Sequence, residues 1–396
     1  MSLGEESVPG VGFDFGALRR WPDVEAENLH AYDAGDRLLL EAAAAAGVPA
    51  FEEGRVAIVN DHYGALTLGA LSLGVRGPRV HQDALSGERA IDANAARLAG
   101  PAEQRPTITP GFRHVPLGPE LFEGATTVLV QLPRSLDALE EISSLAARHA
   151  AADATLLAVG RVKHMSLAMN AVLERYFTTV DAGLARQKSR VLTASRPRPA
   201  ADLRAHRFPL AASHDVGLGT PLRLRAFGAT FGGAKLDPGT RFLLPLLDGM
   251  APVGSAVDLG CGNGTIAAYM ALARPTLRVL ARDQSSSAIA STRATAEANH
   301  VGDRVEAARD DALSALPAGS CEAVVLNPPF HMGNTVHAGI ALKLIADAGR
   351  ALAPGGELWC VWNSHLVYRP HLQRLVGPTR QVARNPKFTV TVSTRR

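Results

Sequence analysis

The stretch Val257-Asp258-Leu259-Gly260-Cys261-Gly262-Asn263-Gly264 decides the fold. Apolar residues over 255–259 read as a buried strand, and the closely spaced glycines carry the chain into a helix over about 265–273. From there strand and helix alternate. A strand over 278–281 ends at Asp283, and a helix follows over about 286–299. A strand near 305–307 leads to Asp310-Asp311, and the apolar run 323–326 is a strand that delivers Asn327. A helix over about 336–352 is closed by Pro354-Gly355-Gly356, before a strand over 357–362. This alternation predicts an α/β domain with a parallel, doubly wound sheet. The tail 381–392 reads as a hairpin added at the sheet edge.

The N-terminal half repeats the pattern in faded form. Val59-Asn60-Asp61-His62-Tyr63-Gly64 falls where the glycine loop falls, and Val80-His81-Gln82-Asp83 where Ala281-Arg282-Asp283 falls. Gln131-Leu132-Pro133 takes the place of Asn327-Pro328-Pro329. His62 and Tyr63 stand where small residues must be for a backbone to approach a nucleotide. The expectation is two tandem Rossmann-like domains, a degenerate one over 1–200 and an active one over 201–396. A chance likeness between two α/β domains is the competing account. The join falls between Ser195 and Gly239, and the alternation of Leu222-Arg223-Leu224-Arg225-Ala226-Phe227 reads as a strand.

Apolar content of 46% over 396 residues supplies sizeable cores. No apolar run reaches about 18 residues, so no membrane span is expected. Residues 1–6 lack the basic and apolar stretches of a secretory signal. Cys261, Cys321 and Cys360 are unclustered, which argues against a disulfide framework or a zinc site. A cytoplasmic protein without a metal is expected. The net charge of +3 is compatible with nucleic acid. Arg186, Lys188, Arg190, Arg196, Arg198, Arg204, Arg207, Arg223 and Arg225 concentrate positive charge in one segment. A solvated linker face and a phosphate-tracking surface are both open readings of it.

A glycine-rich turn alone is shared with NAD-binding folds. The details here favour S-adenosylmethionine. Gly260, Cys261, Gly262, Asn263 and Gly264 form a loop whose backbone can pass close to a ligand. Asp258, on the preceding strand, suits the ammonium of the cofactor's methionine part. Asp283, followed by Gln284, ends the second strand, where a carboxylate grips ribose hydroxyls in doubly wound folds. Asp311, beside Ala312, ends the third and is a candidate acceptor for the adenine amino group. Each aspartate alone is at home as a turn or N-cap residue. Their succession at three strand ends points to a site. Cys261 has no basic partner nearby and reads as a buried filler rather than a nucleophile.

Asn327-Pro328-Pro329-Phe330-His331 follows the fourth strand. Two prolines remove two backbone donors and fix φ. The Asn327 side-chain oxygen and the Pro328 carbonyl are left as acceptors for a planar NH2 group, with Phe330 to stack on its ring. Accepting from both N–H groups turns the nitrogen lone pair towards a methyl donor, and orientation alone is worth effective molarities of about 10⁵ M or more. His331 is open between a substrate contact and a helix cap.

These residues resemble those of bacterial ribosomal RNA (guanine-N2)-methyltransferases. The likeness runs over nearly the whole chain. It is strongest at Leu236-Asp237-Pro238-Gly239-Thr240-Arg241-Phe242-Leu243-Leu244, at 258–264, at Asp311-Ala312-Leu313-Ser314, at 327–331, and at Asn385-Pro386-Lys387-Phe388. Adenine-N6 enzymes more often carry DPPY in place of NPPFH, and glutamine-N5 enzymes NPPY. Residues 59–66 look more like the 23S branch than the 16S branch. The resemblance implies a cofactor-free N-terminal domain that aids RNA binding and folding, and a catalytic C-terminal domain. Its implied cofactor is S-adenosylmethionine and its implied partner ribosomal RNA, naked or in an assembling subunit. A monomer is expected. Asp310-Asp311 and Met332-Gly333-Asn334 depart from the relatives' residues and leave the neighbouring contacts open. A 16S enzyme, a protein glutamine-N5 methyltransferase and a non-catalytic RNA-binding assembly factor are the alternatives.

Overall fold

The computed structural model describes residues 13–23, 25–26, 29–47, 53–99, 111–329 and 335–396. Contacts divide the chain into two units, Met1–Arg207 and Phe208–Arg396. The division falls a few residues beyond 200/201 because the segment after 197 packs back on the first unit. Arg198 N donates to Tyr176 O, Ser144 and His206 share a hydrogen bond, and Arg207 pairs with Glu140.

Seven strands build the first sheet: β1 (Val56–Val59), β2 (Arg79–His81), β3 (Arg113–His114), β4 (Thr127–Gln131), β5 (Thr155–Arg161), β6 (Phe177–Ala182) and β7 (Ser189–Pro197). Their order is β3-β2-β1-β4-β5-β7-β6, parallel through β5 and antiparallel at β7 and β6. A short ribbon of β8 (Leu210–His214) and β9 (Leu222–Ala226) opens the second unit. In β9, Leu222, Leu224 and Ala226 are buried and the arginines between them are not, the period of a half-covered strand.

The second sheet holds β10 (Ser255–Leu259), β11 (Arg278–Asp283), β12 (Val305–Arg309), β13 (Cys321–Leu326), β14 (Leu352–Asn363), β15 (Thr379–Arg384) and β16 (Phe388–Thr394). Its order is β12-β11-β10-β13-β14-β16-β15, so the two sheets share one topology. Both are doubly wound. Val56 and Ile58 of β1 join one core, while Ala57 and Val59 join the core on the opposite face. Likewise Ala256 faces one layer and Val257 and Leu259 the other. Such two-sided burial is why these strands read as unbroken apolar runs. The Pro354-Gly355-Gly356 turn, expected between helix and strand, lies inside β14. Cys321 pairs with Leu352 and Ala323 with Glu357, so the turn bulges out of the ladder. The tail hairpin adds β16 to β14, with β15 outermost.

Candidate active site

β10 ends at Leu259 and the glycine loop leads into the helix Thr265–Ala273. Gly260, Gly262 and Gly264 all have positive φ, at 74°, 54° and 77°, a region that favours glycine. A Cβ on Gly260 or Gly262 would meet nothing within 4 Å, whereas one on Gly264 would lie 2.8 Å from the Thr292 backbone. The first two glycines therefore leave a cradle open, and the third lets two helices touch. Asn263 locks the loop from inside. Its Nδ2 donates to the Gly233 and Lys235 carbonyls, and its Oδ1 accepts from Thr265 N and Oγ1. The Cys261 thiol is buried and accepts from Thr292 Oγ1. Burial raises its pKa well above the usual thiol value.

Three aspartates stand at successive strand ends. Asp258 is fully buried, and its Oδ2 accepts from Ala267 N at 2.9 Å. Burial, opposed by that N–H and reinforced by the charge of Asp283, pushes its carboxyl up to about 7. Asp258 Oδ1 has no hydrogen-bond partner among the described residues. A buried carboxylate oxygen calls for a donor, and the cofactor's ammonium, directly or through water, is of the right kind. Asp283 accepts from Gly262 N on one oxygen and from Ser285 N on the other, which ties the end of the second strand to the glycine loop. Gln284 is exposed, and its carbonyl accepts from Arg309. Asp310 is a buried cap for Ser314 and Ala315. Asp311 is ion-paired with Lys343, and Ala312 beside it is buried at φ 58°. The open cradle, the orphaned oxygen and the Asp283 carboxylate fit S-adenosylmethionine.

Asn327 leaves β13 next to β10, across from the glycine loop. Its Nδ2 donates to Asp237 Oδ1 at 3.0 Å and to Thr240 Oγ1 at 2.9 Å. Asp237 Oδ1 also accepts from Thr240 N, so the nitrogen of the Asn327 amide faces it and the amide orientation is set. Asn327 Oδ1 is then left buried without a partner among the described residues. Pro328 is buried and Pro329 exposed. Phe330 and His331 lie outside the described residues.

Asp237 and Thr240 are the site residues that reading outward from the glycine loop does not single out. Asp237 caps the helix Pro238–Leu243 by accepting from Thr240 N, with proline at the first helical position. A signal for them exists. Asp33-Ala34-Gly35-Asp36-Arg37-Leu38-Leu39-Leu40 and Asp237-Pro238-Gly239-Thr240-Arg241-Phe242-Leu243-Leu244 form an internal repeat. The basic segment, by contrast, is partly consumed by the fold. Arg186 pairs with Glu41, Arg207 with Asp137 and Glu140, and Arg196, Arg198 and Arg223 bond to neighbouring oxygens. Among the described residues, no helix is long and apolar enough to cross a membrane and no cluster of metal-ligating side chains occurs.

Residues 222–392 match the family described as methyltransferase small domain, and residues 11–198 match the RLMG N-terminal domain. The ribosomal RNA large subunit methyltransferase G of Pseudomonas paraeruginosa is 36% identical over 378 residues, 94% of this chain and 96% of its own. The Streptomyces avermitilis protein of the same name is 34% identical, over 94% and 95% of the two chains. A solved T. Thermophilus 16S rRNA N2 methyltransferase, in complex with AdoMet and guanosine, covers 92% of each chain at a TM-score of 0.71. At 20% identity that likeness speaks for the fold alone.

Proposed function

The chain belongs to the ribosomal RNA large subunit methyltransferase G family, and from that premise we propose that it methylates the exocyclic N2 of a guanine in 23S ribosomal RNA. The observation that carries this reading is Asn327. Its nitrogen is held by Asp237 and Thr240, and its Oδ1 is a buried acceptor awaiting a donor. A guanine amino group is such a donor.

S-adenosylmethionine supplies an electrophilic methyl group when bound. Gly260 and Gly262 would let it lie close to the loop backbone, Asp258 would hold its ammonium and Asp283 its ribose hydroxyls. Asn327 Oδ1 and the Pro328 carbonyl accept from the two N2–H groups, which fixes the amino plane and turns its lone pair outward. The contribution is mainly orientation, and the nitrogen sheds its surplus proton after transfer without a strong base. A paired guanine must leave its helix first, at a cost of a few kcal/mol. The N-terminal domain, with His62 in the cofactor's path, serves RNA binding rather than transfer.

Radiolabelled methyl transfer tests this reading. Ribosomal RNA from a strain lacking the gene should accept label into N2-methylguanosine of 23S RNA, offered naked and as subunits, while wild-type RNA should not. Label in 16S RNA, in a protein glutamine, or nowhere would overturn it.

A further inference from the structure

The degenerate copy keeps a hole at the end of the sheet where the second copy carries Asn327. Pairing of strand with strand sets Gly160 in the place of Trp362 and Ser189 in the place of Phe388. In the second domain Trp362 is buried, and the Phe388 ring lies 3.2 Å from where a Cβ on Gly239 would stand. The first domain lacks both bulks. What remains is a cavity of about 310 Å³, lined among others by Gln131, Pro133, Arg134, Met165 and Met169. Ligand pockets begin at about this size.

Its lining suits a nucleobase. Gln131 stands in the place of Asn327, and its Nε2 donates to Asp36, which stands in the place of Thr240. The other end of the Gln131 amide has no partner among the described residues. Arg134 holds the sequence place of Phe330, and a guanidinium plane stacks on a base as an aromatic ring does. Met165 and Met169 give an adaptable apolar wall. The side chains of Arg134, Lys163 and His164 are exposed and have no hydrogen-bond or ion-pair partner among the described residues. Arg161 is partly engaged by Asp33 at 3.3 Å. A polar pocket with a cationic rim is matched by a base and its phosphates. His62 lines the same cavity from the place of Gly262, where the second domain leaves its cradle.

We propose that this cavity holds one unpaired nucleotide of the ribosomal RNA, unmodified, as a second grip on the substrate. The base enters between Arg134 and the methionines, its edge meets Gln131, and its flanking phosphates meet Arg134 and Lys163. This rests on the reading of RNA as the substrate.

The test uses the full chain and 23S RNA carrying 4-thiouridine and 6-thioguanosine. After irradiation, cross-linked peptides are mapped by mass spectrometry. Cross-links within 131–134 and 161–169 are expected, together with others in the second domain. Arg134→Glu with Lys163→Glu should erase the N-terminal cross-links and weaken RNA binding about tenfold, as loss of phosphate contacts does. S-adenosylmethionine affinity and melting temperature should not move. The single variant Gln131→Ala, which leaves the rim charges in place, should reduce the same cross-links. Cross-links confined to the second domain, with unchanged affinity in the charge variant, would overturn the proposal and leave the RNA substrate standing. No cross-link anywhere would sink both. Loss of the N-terminal cross-links to micromolar guanosine or adenosine monophosphate would make the cavity a free-nucleotide site and refute the second grip.

Discussion

The two halves of the chain share a strand order and differ where it matters for chemistry. At one end of the first sheet stand Asn60, Asp61, His62 and Gln131. At the same end of the second stand Gly260, Cys261, Gly262 and Asn327. Asn60 N and Gly260 N each donate to the neighbouring strand, at His81 O and Arg282 O, and Gly64 and Gly264 each enter a helix at positive φ. The scaffold is therefore indifferent to the replacements. Even the helix cap survives them. Ala267 N is capped by Asp258 from the strand, and Thr67 N by Asp61 from the loop, with Ile58 in the strand position. The carboxylate stands on the strand in one copy and on the loop in the other, and both cap the following helix. In this architecture the fold resides in the strands and the function in a few residues at their ends.

The sharpest way to break the comparison is to disarm the second copy. Asn327→Ala should lower methyl transfer by about 10³-fold, because both orientation and an acceptor at the reacting nitrogen are lost. Isothermal titration should find S-adenosylmethionine binding within about threefold of wild type, a difference of under 1 kcal/mol. Loss of cofactor binding would mean that Asn327 serves the cofactor instead. Gly262→His imports the first copy's residue into the open cradle. Cofactor affinity should fall about 100-fold, while stability drops by only about 1–2 kcal/mol, the cost of a side chain at positive φ. Undiminished binding would show that His62 is not what closes the first copy.

How much of this was legible beforehand follows from the physics of each residue. The second sheet was, because its strands are buried on both faces and its turns carry glycine. The three aspartates were visible as a series, yet the series does not show their partners. Asp311 meets Lys343 from a distant helix, and Asn263 turns inward to the 233–235 loop. Asp237 and Thr240 were hidden by sequence distance, since their value lies in reaching Asn327 across the fold. Only the repeat of Asp-x-Gly-x-Arg between 33–37 and 237–241 carries that contact in one dimension.

Asp258 sets a pH dependence that Ile58 cannot. Its folded carboxyl titrates near 7, and a cationic ligand prefers the ionised form. Below that value, binding must expel a proton, so affinity should fall towards tenfold per pH unit at most. Cofactor affinity measured from pH 5.5 to 8.5 should therefore rise to about pH 7 and then level. Asp258→Asn should bind about tenfold more weakly at pH 8, with the rise gone. A rise that persists in the variant would assign it to another group.

The first copy carries a pH dependence of its own, at the place of Thr240. Asp36 is buried, and burial, followed by the charges of Asp33 and Asp61, pushes its carboxyl from 3.8 up to about 8. Near neutrality it is mostly protonated, accepting from Asp33 N on one oxygen and from Gln131 Nε2 on the other. The folded state then holds a proton that the unfolded chain has released. Stability falls as pH rises between about 4 and 8, by at most about 1.4 kcal/mol per unit. Asp36→Asn reproduces the neutral form, with Gln131 turned to accept from the new amide. Denaturation at pH 4, 5, 6, 7 and 8 should find the variant within about 1 kcal/mol of wild type at pH 4 and, with its shallower decline, gaining on wild type by up to about 1.4 kcal/mol per unit as the pH rises. Parallel declines would mean that Asp36 is ionised in the fold. The first copy would then carry a buried charge where the second carries a hydroxyl, and the two positions would no longer be counterparts.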